Sequence, residues 1–295
     1  MYNTNGRDGV NPPPPAQNYG AAYNHGNYNY GQNKVNNNPY DIPPPLQQKD
    51  YYYNAPTNIT ANGGLYDEFS LNEFSSTKIR HGFIRKVYSI LSLQLLITFG
   101  FSALAVLHQP IKIFLIKNYV LFFVLGIVLS LPILITIACV PTIARKYPSN
   151  YFVLLLITIG MTLIVSLASA RTNSEIFFYA FGITAVVVIG LTIFAFQTKW
   201  DFTGWYVYLF MAFLILFVIG IIGIFVRSKI YNLIFSGISA FILSISIIVD
   251  TQLIIGGKHK KYEFSIDDYI FATLALYMDI INLFISILSI ISNSE

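Results

Sequence analysis

The chain has 295 residues, 55% of them hydrophobic and only 11% charged. A soluble domain carries roughly 25% charged residues, so this composition excludes a soluble globular fold and describes a membrane protein. The net charge of +4 lies in short stretches between apolar blocks rather than along one face, so it does not indicate a nucleic-acid partner, and the single cysteine, Cys139, excludes an intrachain disulfide and a cysteine metal cluster.

Residues 1–77 are dominated by Asn, Tyr, Pro and Gly, with too little aliphatic content to offset the entropy of ordering. They are predicted to form a disordered cytosolic tail. The first 25 residues contain no apolar signal-peptide core, so the tail is expected to stay in the mature protein. PPPP at 12–15 and PPP at 43–45 are candidate docking segments for proline-binding domains, although a plain solvated tail is the simpler account of them. YDEF at 66–69 matches a tyrosine-based sorting pattern short enough to occur by chance, and the sequon Asn58-Ile59-Thr60 would stay unmodified in the cytosol. His25 is expected to be solvated.

Residues 78–295 read as a transmembrane domain. Apolar blocks at about 87–107, 119–140, 151–169, 175–196, 205–226, 230–254 and 268–291 are each long enough for a helix to cross a bilayer core, which takes about 20 residues. They do not alternate as barrel strands do. The predicted fold is therefore an all-α integral membrane bundle of seven helices. The first block follows Lys78, Arg80, Arg85 and Lys86, and the later connections on that side hold Arg145, Lys146, Lys199, Lys258, Lys260 and Lys261. The opposite connections hold Lys112, Lys117, Arg171, Arg227 and Lys229. Ten basic residues against five predict a cytosolic N-terminus. Tyr119, Tyr147, Tyr151, Trp200, Trp205 and Tyr231 fall at block edges, where amphipathic rings settle. His81, His108 and His259 also lie near edges and read as solvated, Cys139 reads as an apolar core-helix thiol, and Lys258, Lys260 and Lys261 suit anionic lipid headgroups or a topological anchor.

Two acids interrupt the blocks: Asp250 near the end of the sixth and Asp279 within the seventh. Ionisable groups in hydrocarbon are costly and mark function by default. Gly256-Gly257 reads as a helix stop, which puts Asp250 about 9 Å from that end. Ser265 with Asp268 has capping-box spacing, which puts Asp279 about 20 Å along the next helix. The two differ in depth by roughly 11 Å on this count, which tilt and a headgroup-level first turn would reduce.

Polar residues share the faces of these acids. Asp279, Asn282, Ser286 and Ser289 form one stripe of the seventh helix, Ser239, Ser246 and Asp250 one of the sixth, and Thr158, Thr162, Ser166 and Ser169 one of the third. Together they would line one cavity, with Asn282, Ser286, Ser246, Ser239, Thr162 and Ser166 as pore-lining candidates. Alternatively the hydroxyls are ordinary helix-packing residues. Two carboxyls at contact distance cannot both ionise cheaply, so a pair holding one proton would tie the helices together. Loss of that proton would make the acids repel and free oxygens that suit Ca2+ in transit.

FIRKVYSILSLQLLITFG at 83–100, FQTKWDFTGW at 196–205 and DTQLIIGGKHKKYEFSIDDYIFATLALYMDIINLF at 250–284 resemble the Lifeguard branch of the transmembrane Bax-inhibitor-motif family. The resemblance covers about residues 78–291. It implies a seven-helix protein of the endoplasmic reticulum or Golgi, a pH-sensitive calcium leak and restraint of cell death, with the family's functional aspartates at Asp250 and Asp279.

Alternatives stay open. A scaffold that restrains apoptosis by binding other membrane proteins needs no conduction. An intramembrane aspartyl protease also uses two acids, but Leu276-Tyr277-Met278 precedes Asp279 without the glycines of that signature, and a seven-helix receptor does not fit the charge bias. No nucleotide loop, zinc motif or hydrolase elbow is visible, so neither enzyme activity nor a cofactor is expected.

Overall fold

The computed structural model describes residues 65–294 apart from 141, 227, 258 and 259, with side chains from residue 77 onward except those of Ala138 and Ile224. The proline runs, the sequon, His25, Arg227, Lys258, His259 and the side chains of YDEF lie outside the described residues. The helices are α1 (Leu65–Leu107), α2 (Gln109–Lys117), α3 (Tyr119–Cys139), α4 (Thr142–Arg145), α5 (Ser149–Ala170), α6 (Ser174–Gln197), α7 (Tyr206–Phe225), α8 (Lys229–Ile255) and α9 (Tyr269–Ser294). Seven of them (α1 from Thr77, α3, α5, α6, α7, α8 and α9) are long and apolar enough to cross a bilayer, and no strand occurs among the described residues. The chain is a multi-pass integral membrane protein.

Most span ends fall within about two residues of those expected, because Gly, Pro and charge stop each apolar run. The exception is α1, which begins at Leu65, so that residues 65–77, expected within the disordered tail, are helical and continue through Lys78, Arg80, Arg85 and Lys86 into the apolar block. An apolar count cannot see that helix, since charge does not end a helix outside the hydrocarbon. The connection after α1 also contains a helix, α2, which starts with Pro110 in its first turn, where the missing N–H costs nothing.

The seventh span lies inside. About 61% of the crossing stretches of α9 and α5 is buried in the chain, against 17% for α3 and 11% for α7. α9 packs against α8, α6, α1 and α5, while α3 packs on α5 and α7 on α8. In hydrocarbon, close packing replaces water exclusion as the force between helices. Phe284 of α9 meets Phe99 of α1 at 5.0 Å and Phe177 of α6 at 5.7 Å between ring centres, both edge to face. Gly160 of α5 meets α3 so closely that a Cβ there would stand 2.9 Å from the Gly126 carbonyl oxygen and 3.1 Å from Ser130 Cβ. Cys139, expected in a helix core, instead sits exposed as the last residue of α3, a span packed on one side only.

Connections alternate between two faces, as single crossings require. On one, Arg145 before α5 pairs with Asp268 before α9 at 2.6 Å, and Lys260 donates to the Trp200 carbonyl at 3.0 Å. On the other, Lys112 of α2 donates to the Thr172 carbonyl at 2.9 Å.

Candidate functional site

α8 and α9 run antiparallel, and their shared seam carries polar groups toward both ends among buried apolar side chains such as Leu243, Ile247 and Leu283. Ser236 donates to Ser289 at 2.8 Å at one end. Toward the other, Asp250 and Asp279 are brought together, side chain against side chain, with the Ser246 hydroxyl beside Asp279. Both acids are buried, 6% and 8% exposed, and Asp279 Oδ2 accepts no hydrogen bond. Asn282 and Ser286 follow on the same stripe and donate back to the carbonyls of Met278 and Asn282, while Ser239 is buried on α8. Counting rise from the helix ends treats those ends as level. The cross-helix contacts set the register instead.

The third stripe goes elsewhere. Gln94 donates to Thr158 at 2.8 Å, Thr98 lies 3.1 Å from Thr162, and Ser102 lies 3.2 Å from Ser166, so the α5 stripe zips to α1 over three turns. Tyr277 of α9, fully buried, joins at Thr98 over 2.8 Å. Tyr277 and Asp279 are two positions apart and so lie about 200° apart around α9, on nearly opposite sides. Thr162 and Ser166 therefore belong to a second polar seam, apart from the aspartates. Ser169 lies at the far end of that stripe with a buried hydroxyl that has no partner.

Three contacts that spacing did not reveal hold the aspartate end of α8. Gln252, fully buried two residues past Asp250, accepts from Phe202 N at 2.8 Å and donates to the Trp200 carbonyl at 2.9 Å. Asp201 of the same turn accepts from the N–H groups of Thr203 and Lys261 and from the Thr203 hydroxyl. Burial pushes the Asp201 carboxyl up, but those bonds and nearby Lys260 outweigh it, leaving the group below its usual range. Arg80 of α1 donates to the carbonyls of Leu253, Ile255 and Phe264. Two of the sequence segments quoted above, 196–205 and 250–284, thus touch each other here.

The expected capping box is not formed. Ser265 makes no side-chain cap: the Asp268 N–H donates to the Ser265 carbonyl at 3.0 Å, and the Asp268 carboxylate turns to Arg145 and holds that guanidinium above its ordinary value. Gly256 and Gly257 do end α8, at φ of 59° and 114°, which L side chains rarely adopt. His81 and His108 are exposed.

Among the described residues no three His, Cys, Asp or Glu side chains gather as a metal site. Calcium takes six to eight oxygens, more than two carboxyls and the Ser246 hydroxyl beside them supply.

The chain matches the family model described as Inhibitor of apoptosis-promoting Bax1 over residues 80–295. It is 37% identical to Protein LIFEGUARD 1 of Arabidopsis thaliana over 245 residues, covering 81% of this chain and 100% of the relative. It is 34% identical to Protein lifeguard 3 of Homo sapiens over 231 residues, covering 77% of this chain and 73% of the relative. Protein LIFEGUARD 4 of Arabidopsis thaliana is 35% identical over 224 residues, 75% of this chain and 88% of the relative. A match of this extent places the chain in the Bax-inhibitor-motif family, within its Lifeguard branch.

Proposed function

We propose that the protein is a pH-sensitive, calcium-permeable leak of an endomembrane, the endoplasmic reticulum or Golgi, with its N-terminus in the cytosol, and that it restrains cell death by limiting stored calcium. The observation that carries this reading is the buried Asp250–Asp279 pair toward one end of the α8–α9 seam. With one shared proton the pair ties α8 to α9. When that proton leaves, two like charges in a low-dielectric seam repel, and their oxygens become available to a hard cation. Ser246, Ser239, Asn282 and Ser286 are the polar groups along the seam that such an ion would meet.

Orientation is supported by the ten-to-five basic bias and by the connections that share a face with Arg80 and Arg145. Protease protection of the tail in vesicles sealed with their cytosolic face outward tests it: cleavage without permeabilisation is expected, and cleavage only after permeabilisation would overturn the assignment. The death-restraining role draws on the family description and on the relatives' names. Conduction is tested by calcium flux from proteoliposomes stepped in pH, with the wild type beside Asp250→Asn.

A second reading, an interaction protein that binds apoptosis-related membrane proteins, draws on the family description, which names Bax1; the exposed apolar flanks of α3 and α7, Val120 and Phe217 among them, are accounted for by lipid contact. It predicts that a double Asp250→Asn, Asp279→Asn variant keeps its protective effect in cells. Loss of protection in that variant counts against it.

A further inference from the structure

The C-terminal end of α8 has carbonyls that no helical N–H can reach. Arg80, on a different helix 173 residues earlier in the chain, supplies two of their donors: Nη2 to Leu253 O at 2.7 Å and Nε to Ile255 O at 3.0 Å. Its third bond, Nη1 to Phe264 O at 2.7 Å, reaches the connector just before α9. Phe264 N in turn donates to Leu253 O at 3.0 Å, so helix end, connector and guanidinium close one ring of contacts. Glu263 faces Arg80 at 3.7 Å and accepts from Gly257 N, and Phe83 lies under the guanidinium at 5.0 Å.

Gly256 makes this possible. A Cβ there would lie 2.7 Å from Arg80 Cζ, in addition to straining a backbone at φ of 59°. The rigid planar fork of arginine matches three fixed acceptors in a way that the point charge of lysine does not. A charge that merely anchored α1 at the headgroups would face water or lipid, whereas the Arg80 side chain is only 15% exposed and spends its donors on carbonyls.

We propose that Arg80 is a positioning residue for the aspartate pair: it pins the end of α8 and the connector to α1 and so holds Asp250 beside Asp279. This rests on the reading of that pair as the gate. It also makes α1 the element through which movement on the N-terminal side of the bundle reaches the gate.

The test is oxidative cross-linking in the full chain, reconstituted, with Cys139→Ser as background. Asp250→Cys with Asp279→Cys reports the gate, and Ser236→Cys with Ser289→Cys reports the far end of the same seam. Adding Arg80→Gln should slow the gate cross-link about tenfold or more, the scale of losing charge-assisted bonds, while the far cross-link is unchanged. Arg80→Lys should slow it less, and Gly256→Ala should reproduce the Arg80→Gln result from the opposite partner. Gly256→Ala also carries the test if Arg80→Gln fails to fold. An unchanged gate cross-link, or equal slowing at both ends, overturns the positioning role and leaves the gate reading standing. Failure of the gate cysteines to cross-link with Arg80 intact, while the far pair does so, overturns both.

Discussion

Gln94 and Thr98 lie one turn apart on the same stripe of α1, yet replacing them with apolar residues should have opposite signs. Thr98→Val removes the contacts to Tyr277 at 2.8 Å and Thr162 at 3.1 Å, in a site with no solvent exposure. At the modest worth of hydrogen bonds between membrane helices, two such bonds cost about 1–2 kcal/mol. Gln94→Leu removes one bond, to Thr158, whose hydroxyl still donates to the Leu154 carbonyl. It also removes Gln94 Oε1, which is buried without a partner. An unsatisfied buried polar atom costs about 1–3 kcal/mol, more than the single bond that is lost. Gln94→Leu should therefore be neutral or stabilising by up to about 2 kcal/mol. Unfolding by a denaturing detergent in mixed micelles measures both. A loss above about 1 kcal/mol for Gln94→Leu, or none for Thr98→Val, refutes this accounting.

The remaining predictions concern packing and the connections. Gly160→Leu should drive α3 from α5 and cost about 2 kcal/mol or more by overpacking, read as a lowered detergent-unfolding midpoint, whereas Gly100→Leu, which meets open space, should not. Gln252→Met should leave Phe202 N without its partner and the Trp200 carbonyl with Lys260 alone, and accelerate amide exchange in residues 200–203, with little change at α3. Asp201 has a folded-state pKa below its unfolded value, so its contribution is present above the ordinary carboxylate range and is lost as pH falls through the depressed value. Acidification below about pH 4 should loosen residues 200–203 from 260–262, and Asp201→Asn should weaken that acid response in the same exchange measurement.

The spans were legible because hydrocarbon demands about 20 apolar residues and leaves no alternative to a helix. The acids Asp250 and Asp279 were legible for the complementary reason, since a rare charge in an apolar run stands out without any structure. The division of the polar stripes was not. Thr158, Thr162 and Ser166 have a periodic signal that says which residues share a face but not which helix that face meets. Gln94, Thr98 and Ser102 carry the matching spacing on α1 and were the available clue. Arg80 and Gln252 left no periodic trace, because each acts through backbone groups of a remote segment, and a carbonyl has no sequence signature. Ser265 and Asp268 had the spacing of a cap, but the Asp268 carboxylate pairs with Arg145.

The most direct measurement of the central claim is calcium efflux from proteoliposomes as pH is raised in steps. The wild type should leak more as the shared proton is lost and the carboxylates repel. In Asp250→Asn the amide can still bond Asp279 but cannot become a second charge, so efflux should stay low and nearly independent of pH. An Asp250→Asn trace that follows the wild type at every step contradicts the account.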